Sequence, residues 1–111
     1  MKLEIMKVLV ASTGHITADD NAMLQTFSGP EDGENLPSDS IRAAEDGYGF
    51  FVWAGDADEP ELAESYYKEL LRTGISKDFV NILRLAAENK CTYVRLDMDG
   101  PAYSELPKHE W

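Results

Sequence analysis

Basic residues are scarce. Ten Lys and Arg stand against twenty-one Asp and Glu, for a formal net charge of −11 over 111 residues. The shortage is also uneven. From Glu31 to Glu64 there are eleven acids and one base, Arg42, so that segment alone carries −10. The segments before and after it carry −1 and 0. An acidic face of this kind repels phosphate backbones and attracts basic surfaces, or serves only to keep the chain in solution. Cysteine is rarer still. Cys91 stands alone, which excludes an internal disulfide and a cysteine-based zinc site and suits a reducing cytoplasm. It is expected to be a buried, inert thiol where a helix hands over to a strand. No apolar run approaches the ~20 residues of a membrane span. The opening "MKLEIMKVLVAST" is too short, and too interrupted by charge, for a signal peptide. No Walker or dinucleotide pattern is present, and nothing implies a cofactor.

What is present reads as one α+β domain spanning residues 1–111. "KLEIMKVLVAST" alternates and predicts a first strand over about Leu3 to Ala11. Thr17 then caps a helix to about Phe27, with Asp19 and Asp20 in its first turn and Ala22, Met23 and Phe27 turned inward. A polar loop over about 28–40 follows. "IRAAEDGYGFFVWA" predicts a hairpin turning at Asp46 and Gly47. Pro60 opens a second helix with Leu62, Tyr66 and Leu70 on its inner face, and Gly74 stops it. Ser76 caps a third, burying Phe79, Ile82, Leu83 and Ala86. "CTYVRLDMD" is the last strand. The tail, 100–111, is expected to pack on the sheet through Tyr103, Leu106 and Trp111. The order β-α-β-β-α-α-β suggests a ferredoxin-like sandwich, with a four-stranded, mainly antiparallel sheet and helices on one face.

"DGYGFFVW", Asp46 to Trp53, nearly spells the aromatic motif of RNA-recognition domains and falls on the third strand, where they carry it. Three features oppose that reading. Asp46 fills the basic slot, the first strand lacks the companion aromatic, and the segment is strongly acidic, whereas single-strand binding depends on a positive groove. Alternation puts Tyr48, Phe50 and Val52 on one face and Phe51 and Trp53 on the other. Two readings remain for the first set. Either it is core, covered by the tail, or Tyr48 and Phe50 are protein-binding anchors ringed by Glu45, Asp46, Asp56, Asp58, Glu59 and Glu61.

Other candidate chemistry is sparse. "STGHIT" places Ser12, Thr13 and His15 between the first strand and helix, a natural anion cradle and the only visible basis for a phosphate-handling or small-ligand enzyme. A loop histidine that caps a helix or bonds a backbone carbonyl is the plainer reading of His15. Asp97 and Asp99 in "DMDG" are weak candidates for a hard cation, against a turn that bonds local amides. Whether His15 and Asp97 meet depends on the sheet. Antiparallel first and last strands would hold them apart, whereas parallel ones would bring both to the carboxyl edge.

Three blocks carry a resemblance to a family of small bacterial domains found on plasmids, integrative elements and phages. They are "VASTGHIT", "YGFFVWA" and "CTYVRLDMDGPAYSELPKHEW", which together make about a third of the chain. Gly14 stands where that family more often has alanine, and the helix from Pro60 to Arg72 looks like an addition. The resemblance implies a mobile-element setting and no catalytic residue. With the charge segregation, it suggests a non-enzymatic acidic module. Its expected partner is a basic protein surface, such as the nucleic-acid groove of a host defence complex that an anti-CRISPR or anti-restriction-like inhibitor would occupy. Direct nucleic-acid or membrane binding is not expected. The alternative is the enzyme built on Ser12, Thr13 and His15.

Overall fold

The computed structural model describes residues 6–27, 41–44, 47, 49–55 and 58–109. Four strands, β1 (Val8–Ser12), β2 (Ile41–Ala43), β3 (Gly49–Trp53) and β4 (Tyr93–Asp97), form one sheet. Three helices accompany it, α1 (Ala18–Phe27), α2 (Pro60–Arg72) and α3 (Lys77–Glu88), with a 3-10 turn at Thr13–His15. No helix among the described residues is long and apolar enough to cross a membrane.

The sheet order is β1-β4-β3-β2, and β1 pairs with β4 in parallel, Ser12 beside Asp97. β4 with β3 and β3 with β2 are antiparallel. The sheet is therefore mixed, and the expected ferredoxin-like order with antiparallel first and last strands gives way to this one. A strand with alternating apolar residues fits either neighbour, so β4 could not announce its direction in advance.

One face of the sheet is sealed by the helices. Ala11, Ile41, Phe50, Val52, Val94 and Leu96 join a single core with Leu24 of α1, Tyr66, Tyr67 and Leu70 of α2, and Phe79, Ile82 and Leu83 of α3. The opposite face is half-exposed. There Arg95 lies over the Phe51 ring (5.1 Å) and Arg42 over Tyr93 (5.7 Å). Such pairs satisfy a cation and an aromatic face together.

Local chemistry sets the helix ends. Thr17 Oγ1 accepts the Asp20 N–H (3.0 Å) while the Asp20 carboxylate accepts the Thr17 N–H (3.1 Å), a reciprocal capping box. Asp20 is buried and reaches further. It accepts the Ser76 N–H (2.8 Å) and the Ser76 hydroxyl (2.6 Å), and Ser76 in turn caps α3 at Phe79. α1 thus turns Asp20 and Leu24 inward and leaves Ala22 exposed, while Met23 is half-buried against Gly74 and the Phe27 side chain lies outside the description. In α2 the buried stripe is Ala63, Tyr66, Tyr67 and Leu70. Leu62, expected inside, is 53% exposed. Gly74, at φ +103°, ends the helix in a conformation other residues rarely adopt. A bidentate Arg84–Glu64 pair joins α3 to α2, with the guanidinium 4.7 Å from the Tyr67 ring centroid.

The described tail runs along the free edge of β1 and does not spread over the second sheet face. The Ser12 N–H donates to the Pro101 carbonyl (2.9 Å), and the Tyr103 hydroxyl donates to the Val10 carbonyl (2.7 Å). Tyr103 and Leu106 pack against the core and, with Leu9 and with Leu85 and Ala86 of α3, line an apolar hollow. Trp111 lies outside the described residues. Cys91 is half-buried on that same apolar hollow, more open than a core thiol.

Candidate functional site

Because β2 runs antiparallel to β3 and β3 to β4, the strands β1, β4 and β2 all point the same way. Their carboxyl ends, Ser12, Asp97 and Ala43, share one edge. Ligands of open α/β sheets gather at such edges, where the backbone turns away and leaves a crevice. A cleft of about 600 Å³ lies here, between the loop after β1, helix α1 and the β2–β3 hairpin. Thr13 and Gly14 line it from the first side, Asn21 and Gln25 from α1, and Ala43, Gly47, Gly49 and Phe50 from the hairpin. Met98 and His109 complete the wall.

The three residues of the enzyme reading have separate positions. Ser12 Oγ accepts the Gly14 N–H (3.0 Å) and so caps the 3-10 turn. Thr13 lines the cleft. His15 is 0% exposed and absent from the cleft wall. Its Nε2 accepts the Tyr103 N–H (2.9 Å), which places the proton on Nδ1, and Nδ1 donates to the Pro107 carbonyl (2.7 Å). With both nitrogens engaged and no solvent access, His15 is a strut for the tail. His109 strengthens the same junction. Its N–H donates to the Gly14 carbonyl (2.7 Å), and its Nε2 lies 3.0 Å from the Asp78 carboxylate.

Parallel pairing does bring the loops holding His15 and Asp97 to one edge, yet the two side chains do not pair. Asp97 accepts from Arg95 Nε (2.9 Å) and from the Asp99 N–H (2.9 Å), the local turn bonding of an aspartate. Asp99 is exposed, and among the described residues no group of three or more Asp, Glu, His or Cys could hold a metal ion.

The proposed interface set divides. Glu45, Asp46, Tyr48 and Asp56 lie outside the described residues. Asp58, Glu59 and Glu61 are exposed together at the start of α2, with Asp58 3.7 Å from Lys90. Phe50 is only 8% exposed. It sits in the core beneath the helices, so it can neither stack a base nor anchor a partner. The half-exposed aromatics of β3 on the opposite face are Phe51 and Trp53, which alternation distinguished from Phe50 without saying which face the helices would cover. The cleft residues Asn21, Gln25 and His109 were missed. Asn21 and Gln25 stand four apart on one helix face, a spacing that could have flagged them.

The molecule is thus a small α+β domain with a mixed four-stranded sheet and a cleft at the carboxyl edge of its three like-directed strands. It belongs to the family of unknown function DUF5983, C-terminal domain, which matches residues 8–111. No curated protein and no solved structure matches the chain.

Proposed function

We infer that this domain is a non-enzymatic protein-binding module whose acidic flank engages a basic surface. The observation that carries the reading is charge segregation. Residues 31–64 hold a net −10 of the total −11, and Asp58, Glu59 and Glu61 of that segment stand exposed side by side. Clustered like charge is costly to the isolated fold and is relieved by a cationic partner. The engagement of both His15 nitrogens supports the non-enzymatic half, since the Ser12–Thr13–His15 block then offers no free base. Phe50 contributes packing and no contact, so binding rests on the acids. The mobile-element setting implied by the sequence resemblance directs the search to nucleic-acid-binding proteins of host defence, whose phosphate grooves are basic.

The test is binding to a partner captured from host lysate, measured between about 50 and 300 mM salt, a range over which the screening length falls below ~8 Å. Affinity is expected to fall steadily with salt. Charge reversal at Asp58→Lys, Glu59→Lys and Glu61→Lys together is expected to weaken it by tenfold or more. Affinity indifferent both to salt and to the triple reversal would overturn the reading.

A further inference from the structure

An acidic docking flank does not require a cleft at the carboxyl edge of β1, β4 and β2. The cleft's volume, about 600 Å³, lies within the roughly 300–1,000 Å³ of small-molecule sites. Two polar side chains in it have no partner among the described residues. Thr13 is only 9% exposed, and its hydroxyl bonds to none of the described residues. No polar side-chain atom among those residues is sealed away without a partner, so the hydroxyl opens onto the cleft that Thr13 lines. The Asn21 carboxamide, on the facing helix, likewise has no partner among the described residues. A concave surface that presents a few accessible polar groups among apolar neighbours is the pattern of a ligand site.

The lining also sets the class of ligand. It contains no Asp, Glu, Lys or Arg among the described residues, and Met98, with the small exposed part of Phe50, supplies apolar surface. An anion would enter against the field of a molecule carrying −11. A carboxamide presents a donor and an acceptor side by side, and it is matched by an edge that reciprocates, as in a nucleobase or another carboxamide. We propose that the cleft between α1 and the β2–β3 hairpin binds a small uncharged molecule with an adjacent donor and acceptor on one edge, held by Asn21 and Thr13.

The experiment is titration of the ¹⁵N-labelled full chain with adenosine, uridine and nicotinamide, and with adenosine monophosphate for charge. Saturable shifts of the Thr13, Gly14, Asn21 and Gly49 amides are expected with at least one uncharged probe. Response to the nucleosides alone assigns a nucleobase edge, and response to nicotinamide alone assigns a simple carboxamide. Asn21→Ala, which raises helix propensity and so preserves α1, is expected to weaken binding about tenfold, as loss of a paired hydrogen bond does. Thr13→Val is expected to weaken it as well. The monophosphate is expected to bind more weakly than adenosine. The proposal is overturned if no uncharged probe saturates these amides by about 10 mM, where even a Kd of ~1 mM would show. It is equally overturned if Asn21→Ala binds as the native chain does, or if the monophosphate binds as tightly as adenosine.

Discussion

His15 and Asp20 are buried polar residues that each join segments far apart in sequence. Asp20 ties the start of α1 to the cap of α3 through Ser76. His15 ties the turn after β1 to Tyr103 and Pro107 of the tail. Removing such a side chain leaves its partners desolvated and unbonded, which costs more than the bonds contributed. His15→Ala opens a hollow besides. It is expected to destabilise the fold by about 2–4 kcal/mol, read from the urea midpoint, and to speed exchange of the Tyr103 amide. A variant as stable as the native chain would show that the tail does not depend on this strut. Tyr67 gives a pH dependence at the same scale. It is buried, and its hydroxyl donates to the Ala54 carbonyl (2.6 Å). Burial raises its pKa above the ordinary 10.0, and the nearby Arg84 only partly offsets this. The folded state therefore favours the neutral phenol. The associated stability is fully present below pH 10 and is lost as pH rises from there toward the folded-state value. Alkaline denaturation curves should show this decline, and Tyr67→Phe should flatten it.

Among the elements, β4 leaves no room for a side chain at Gly49 of β3. A Cβ there would lie 1.9 Å from the Leu96 carbonyl oxygen. Gly49→Ala must therefore displace backbone, and a loss of more than ~2 kcal/mol is expected in thermal unfolding, together with altered amide shifts along the cleft wall. An unchanged melting temperature would mean that the hairpin accommodates the methyl group freely. The existence of these elements was legible because each carries its own local chemistry. Thr17 and Ser76 cap, Pro60 starts, Gly74 stops, and Phe79, Ile82, Leu83 and Ala86 recur at helical spacing. Thr17 reads as a cap and Asp20 as a first-turn acid, whereas the bond from Asp20 back to Thr17 and its reach to Ser76 emerge only in the structure. Relations between elements were less legible. Alternation separated Phe50 from Phe51, but only tertiary packing decides which of the two is covered. In α2 the buried stripe lies one position around from Leu62 because Tyr67 is drawn inward to bond Ala54. The cleft stayed hidden for a related reason, since Thr13, Asn21 and Gly49 meet only once β1 and β4 run parallel.

For the whole molecule, net charge is the dominant property. With −10 of the net −11 concentrated in one segment, the folded chain repels itself more than the expanded one does. Raising sodium chloride from about 10 to 300 mM, which shortens the screening length from ~30 Å to under 8 Å, should raise the thermal midpoint. A flat or falling midpoint would place the acids far enough apart, or close enough to cations, to be individually content. The sheet order has a consequence for how the chain is made. β1 is synthesised first, yet its hydrogen-bonded neighbour is β4, and its outer edge is met by Pro101 and Tyr103. Such long-range pairing slows folding, because the loop must close before any contact repays it. A nascent chain on the ribosome therefore carries "VLVAS" as an uncovered strand until residues beyond 100 emerge. A truncation or protease cut before Tyr93 would leave that strand permanently open, an apolar template for self-association.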